Sequence, residues 1–157
     1  MTTFLGLDVS PLRIGWAILD TDKLKAHGTI VFESSEWVTP ARRFEAIEDT
    51  LAEYDVTHVG IEAVFVGPNK LGSIRAAMAL GQVEMVCDCV WPNSVQKVLT
   101  ASQWRKHAGI ESSGKEPVME WARAVCEEDG VDPPGMQDAA DAIAIAYATF
   151  DWFDADG

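Results

Sequence analysis

Two aspartates, Asp138 and Asp141, stand three residues apart in MQDAADAIAIAYATF, residues 136–150. Apart from Asp141, the run from Ala139 to Ala148 is almost wholly alanine and isoleucine, with no polar face, as in a buried helix. At i and i+3 both carboxylates project from one side of the first turn. Pro133, Pro134 and Gly135 break the chain just before them. One reading of Asp138 is therefore a helix N-cap, favoured by the helix dipole. The other is chemistry.

Two further acids sit where acids are costly. Asp8 lies in FLGLDVS among Phe4, Leu5, Leu7 and Val9, and Glu62 follows Val59 and Ile61 in THVGIEAVF. Burying a carboxylate without a partner costs several kcal/mol, and neither residue has a Lys or Arg beside it in sequence. Each could instead fall at a strand end and point into water. If the two strands are parallel neighbours, Asp8 and Glu62 come within about 5 Å laterally, and the final helix can bring Asp138 and Asp141 across their ends. Four converging acids repel, and a hard divalent cation resolves that. Carboxylate oxygens suit magnesium, with manganese able to substitute. Two such ions about 4 Å apart can activate water and stabilise the leaving oxygen of a phosphodiester.

The elements that must position these acids follow from turn signals and periodicity. Phe4–Ser10 and Ile14–Asp20 read as strands around the turn Ser10-Pro11-Leu12-Arg13, and His27–Glu33 supplies a third. Residues 40–54 carry Phe44, Ile47 and Leu51 at helical spacing behind Pro40. Thr57–Phe65 is a strand, and Ser73 is placed to cap a helix reaching about Cys87. VQKVLT makes a fifth strand. After the loop GIESSGK come the helical stretch EPVMEWARAVCEE and the final helix. The order β-β-β-α-β-α-β-α, with an extra helix near the end, predicts an α/β fold with a mixed five-stranded sheet flanked by helices. Length predicts one domain over residues 1–150, with 151–157, DWFDADG, as a frayed acidic tail.

The net charge of −13 argues against nonspecific polyanion binding. Its distribution qualifies that: residues 66–125 hold seven basic against five acidic residues, whereas 126–157 hold none against nine. No apolar run is long enough to span a bilayer, and MTTFLGLDVS lacks a charged leader, so a soluble, cytoplasmic protein is expected. Cys87, Cys89 and Cys126 lack zinc-site spacing and read as reduced thiols.

FLGLDVSPLRIGWAIL, GIEAVFVGPN, ALGQVEMV and QDAADAIAIAYA, in that order, resemble RuvC-type Holliday-junction resolvases, a family with the ribonuclease-H fold. The resemblance spans nearly the whole chain, and its strongest element is DAADAIAIA. It implies that Asp8, Glu62, Asp138 and Asp141 are catalytic metal ligands for two Mg²⁺ ions. It also implies a homodimer that cuts four-way DNA junctions by paired, symmetric phosphodiester hydrolysis. Phe65 matches an aromatic that stacks near the opened bases; by residue type it could equally be a core aromatic. Lys106 and Lys115 fall where the family places basic residues close to the scissile phosphate, though lysines are often simply solvated. Arg13, Lys70, Arg75 and Arg105 are further phosphate-contact candidates. The helix around Arg75–Cys87, with Ala76, Ala77, Ala79, Leu80 and Val83, resembles the family's dimer interface; ordinary packing on the sheet is the alternative. Any branch-migration helicase partner is left unidentified.

The acidic pI of about 4.4 departs from the family's more basic DNA face and points to a divergent member from a virus or a salt-adapted host, acting in the cytoplasm of a bacterial, archaeal or virus-infected cell. Three rivals stand beside this reading. A nucleotide-binding ATPase of the actin and sugar-kinase type needs a second domain that 157 residues do not hold. A noncatalytic junction-binding module has no need for four repelling acids. A structure-selective nuclease for flaps, forks or RNA–DNA hybrids would keep the same acids, since selectivity lies in surface shape.

Overall fold

In the computed structural model, residues 2–33 and 37–156 are described. Among them the chain runs β1 (Thr3–Val9), β2 (Arg13–Asp20), β3 (Lys23–Val31), α1 (Pro40–Leu51), β4 (His58–Glu62), α2 (Lys70–Val90), β5 (Val95–Leu99), α3 (Ala101–Ala108), α4 (Lys115–Asp129) and α5 (Gln137–Asp156). The five strands form one mixed sheet in the order β3-β2-β1-β4-β5. The β1–β2 and β2–β3 pairs are antiparallel, and β1–β4 and β4–β5 are parallel. This is the ribonuclease-H-like arrangement expected from the sequence.

Period-2 alternation divides β1 and β2 between two cores, one on each face of the sheet. Leu5, Leu7, Ile14, Ile18, Val59 and Ile61 pack with Ile47, Leu51, Val83 and Cys87 beneath α1 and α2. Phe4, Ala17, Leu19 and Leu99 pack on the other face with Trp104, Val118, Ala122 and the apolar run of α5. Because Leu7 and Ile61 face α1 and α2, their neighbours Asp8 and Glu62 are turned to the α5 face.

Local chemistry fixes the ends. Thr39 caps α1, accepting from the Arg42 N–H at 3.2 Å, with Pro40 at its first helical position. The β2–β3 hairpin turns through Thr21 and Asp22, with Thr21 in the left-handed region (φ 58°). The tightness of that turn lets β3 start at Lys23, four residues before the expected His27.

Three other expectations are corrected. The cap of α2 is Asn69, accepting from Gly72 N–H at 3.0 Å; Ser73 lies inside the helix and donates back to the Asn69 carbonyl. Residues 101–108, left unassigned by periodicity, form α3 behind a reciprocal capping box between Thr100 and Gln103. The acidic tail does not fray: residues 151–156 continue α5, with Trp152 and Phe153 packed against the core, while Gly157 lies outside the described residues. No helix among the described residues is long and apolar enough to cross a membrane.

Candidate metal centre

Register brings the first two acids together. Leu7 pairs with Ile61 in the parallel β1–β4 ladder, so Asp8 and Glu62 follow side by side at the carboxyl ends of adjacent strands. The third acid depends on a close approach of α5 to the sheet. A methyl group at Gly6 would overlap the Ala142 carbonyl, and one at Gly15 the Asp138 carbonyl. Bare glycines on the α5 face of β1 and β2 let the helix backbone rest directly on the sheet. The first turn of α5 thereby reaches the strand ends.

Carboxylate oxygens of Asp8, Glu62 and Asp141 lie within 4.8 Å of one another. Asp138 stands beside this triad, with its Oδ2 3.0 Å from Arg13 Nε. Its charge still reaches Asp8 and Asp141, raising the pKa of both. The Asp8 carboxyl is pushed up to about 9, chiefly by burial and then by the negative charges of Glu62, Asp141 and Asp138. Burial also raises Glu62 and Asp141. On Asp141 the rise is opposed by the Gln137 amide, which donates to Oδ1 at 2.8 Å, and by the Arg105 charge.

The donor set is all carboxylate oxygen, three acids close enough to share one ion and a fourth alongside, so it fits a hard divalent cation and not a thiolate- or imidazole-seeking metal. The described cysteines lie elsewhere, Cys87 and Cys126 buried and Cys89 exposed, all unbridged.

Sequence reasoning missed two residues at this site. Trp104, on the first turn of α3, is 2% exposed, and its indole N–H has no hydrogen-bond acceptor among the described residues. It nonetheless lies near enough to Glu62 to favour that carboxylate's ionised form. An unsatisfied buried donor costs about 1–3 kcal/mol, so its placement needs a reason. The Thr100-x-x-Gln103 capping box was the signal that could have located it. Gln137, just before the aspartate pair, had no signal beyond that position.

The basic candidates separate. Arg105 is the one whose charge reaches both Glu62 and Asp141. Its guanidinium donates to the carbonyls of Ser112 (3.1 Å) and Gly114 (2.8 Å), holding the loop that leads to Lys115 at the start of α4. Lys106 and Lys115 are exposed, Lys106 lining a cavity of about 500 Å³ with Arg105, Ser102 and residues 109–113. Lys70 begins α2, and Arg75 stacks over the Trp37 ring at 4.6 Å. Both ride on the helix that covers the opposite face of the sheet from α5. Phe65 is 85% exposed in the loop after β4, which excludes the core-packing alternative.

On α2 the expected interface face is revised. Ala79 and Val83 are buried in the protein's own core, Ala76 and Leu80 are half-buried and Ala77 is exposed, and the large outward apolar residues are Leu71, Ile74, Met78 and Met85. Helical phase decides this: Val83, Val86 and Cys87 point to the sheet, so the exposed stripe lies on the other side.

No family model matches the chain. The crossover junction endodeoxyribonuclease RuvC of Synechocystis sp. is 33% identical over 153 residues, covering 92% of this chain and 89% of that protein. The protein of the same name from Rickettsia prowazekii is 29% identical over 156 residues, covering 91% and 93%. Among solved structures, Thermus thermophilus RuvC in complex with Holliday junction substrate superposes with a TM-score of 0.76 at 17% identity, over 99% of this chain and 96% of that one. The yeast mitochondrial Holliday junction resolvase superposes with a TM-score of 0.64 at 10% identity, over 96% and 78%.

Proposed function

The chain belongs to the RuvC family of crossover junction endodeoxyribonucleases, and from that premise we propose that it resolves four-way DNA junctions by metal-dependent hydrolysis of phosphodiester bonds. The observation that carries this reading is the convergence of Asp8, Glu62 and Asp141 within 4.8 Å, with Asp138 alongside.

In this reading the four acids hold two Mg²⁺ ions, with Mn²⁺ able to substitute, and the bound cations supply Lewis-acid activation of water and stabilisation of the leaving oxygen. The protein's own part is placement. Asp8 and Glu62 come from rigid strand ends and Asp141 from a helix seated on glycine, so the carboxylates need little rearrangement to receive a cation. Burial and the neighbouring acids raise the Asp8 carboxyl, so binding of a cation there would be linked to loss of its proton. Arg105 places positive charge beside the acids, where a backbone phosphate is to be held, and Lys106 and Lys115 extend that charge along one edge. Phe65, exposed on the loop after Glu62, offers a stacking surface for an unpaired base. Arg13, paired with Asp138 at the rim of the centre, is assigned to a phosphate next to it, and Lys70 and Arg75 to the outer backbone.

A homodimer is part of the proposal. Leu71, Ile74, Met78 and Met85 give α2 an apolar stripe, continued by a cavity of about 430 Å³ against α1 that includes Phe44 and Met85. A two-fold pairing there would present two centres to opposite strands of a symmetric junction. Light scattering of the intact protein, with Met78→Glu as the disrupting variant, tests this.

The deciding experiment compares cleavage of a labelled four-way junction, a linear duplex and a flap, in magnesium and in manganese, beside Asp8→Asn. Paired symmetric nicks in the junction alone, lost in the variant, are expected. Equal cutting of flap and junction would reduce the protein to a general structure-selective nuclease. Tight junction binding with no cutting in either metal would make it a noncatalytic module.

A further inference from the structure

Leu99, the last residue of β5, pairs in register with Glu62, and its carbonyl accepts the Ala63 N–H at 2.7 Å. The chain then passes through Thr100 straight into α3, whose first turn is locked by reciprocal bonds: Gln103 N–H to Thr100 Oγ1 (3.3 Å) and Thr100 N–H to Gln103 Oε1 (2.9 Å). Trp104 is the next residue. Its ring is packed in the core shared with α4 and α5, among Val118, Ile143 and Leu99. So the backbone that carries Trp104 is tied to the backbone that carries Glu62, and the indole has little freedom to turn away.

That rigidity makes its one polar atom informative. The Nε1–H is shielded from solvent and makes no hydrogen bond of good geometry among the described residues, yet it lies near enough to the Glu62 carboxylate to favour its ionised form. A core position that only needed bulk would be served by an apolar ring. Carboxylates that hold a metal are in turn oriented by donors to their free oxygens, and those donors set affinity without touching the ion.

We propose that Trp104 is a positioning residue for the metal centre, its buried indole N–H donating to the Glu62 carboxylate when the centre takes up its cation and fixing which oxygen faces the ion. The inference rests on the reading of the four acids as a metal centre. It does not require the substrate to be a DNA junction.

The test is Trp104→Phe in the full-length protein, measured by Mn²⁺ titration followed by electron paramagnetic resonance. Trp121→Phe, on α4 against Tyr147 and away from the acids, is the control. A rise of roughly 10-fold or more in the Mn²⁺ Kd is expected for Trp104→Phe and none for the control. In ¹⁵N-labelled wild type, the indole N–H cross-peak absent from Trp104→Phe is expected to move downfield as Mg²⁺ is added. Should Trp104→Phe fail to fold, 3-benzothienylalanine at position 104 keeps the shape and replaces the N–H by sulfur, and the same loss of affinity is expected.

Wild-type Mn²⁺ affinity in a folded variant without the N–H overturns the inference while leaving the metal centre intact. So does a cross-peak that ignores Mg²⁺. A wild-type protein that binds no Mn²⁺ overturns both. Trp104-dependent Mn²⁺ binding without junction cleavage supports the inference and removes the resolvase reading instead.

Discussion

Arg13 Nε lies 3.0 Å from Asp138 Oδ2, so one acid of the site is balanced by the first residue of β2 while the other three face one another. The pair is half-exposed on the arginine side, at 49%, and solvent screening limits what it adds to folding. Arg13→Gln is therefore expected to cost less than about 1 kcal/mol in denaturant unfolding. It should tighten Mn²⁺ binding, because a positive charge leaves the rim of the centre. A stability loss above about 2 kcal/mol would make Arg13 a structural clamp for α5 instead.

The Asp8 carboxyl, at about 9 in the folded protein against 3.8 for an unperturbed aspartate, makes stability depend on pH. Between those values the native state keeps a proton that the unfolded chain releases. Cation-free stability must therefore fall as pH rises through that window. Melting temperature without metal is expected to drop between about pH 5 and about pH 9, and Asp8→Asn to flatten the slope. Saturating Mg²⁺ should restore the loss at the alkaline end, because the cation replaces the proton.

Asp141→Asn should abolish cleavage yet leave the cation-free protein as stable as wild type or more so, since it removes one of the repelling charges. Its Oδ1 can still accept from Gln137. A clear fall in the metal-free melting temperature would show that Asp141 serves the helix end more than the metal.

Gly15→Ala places a methyl group against the Asp138 carbonyl, where backbone must move to admit it. A cost of about 2 kcal/mol or more is expected, visible as a melting shift of several degrees. Mn²⁺ affinity should fall with it, because displacing α5 separates Asp141 from Asp8 and Glu62. If stability falls while affinity holds, the helix tilts without withdrawing its first turn.

Phe65→Ala, at a side chain 85% exposed, should change stability by no more than about 0.5 kcal/mol. Junction cleavage is expected to fall without loss of Mn²⁺ binding. Unchanged cleavage would remove Phe65 from the DNA surface.

Much of this was legible in the sequence because it is local or periodic. The strand runs, the helical spacing of Phe44, Ile47 and Leu51, and the paired aspartates before an apolar helix each follow from side-chain period and turn chemistry. The cost of an acid among apolar neighbours singled out Asp8 and Glu62 before any partner was visible. What the sequence did not disclose depends on contacts between distant segments. Asp138 stands outside the tight triad and is paired with Arg13, which comes from near the other end of the chain. That the Arg105 charge reaches Glu62 and Asp141 depends on the turn of α3, and the exposed stripe of α2 on how that helix sits on the sheet. The buried indole of Trp104 comes near Glu62 because β5 ends in register with that residue. Sequence period specifies which way a side chain points relative to its own backbone; only the packed fold decides what stands opposite it.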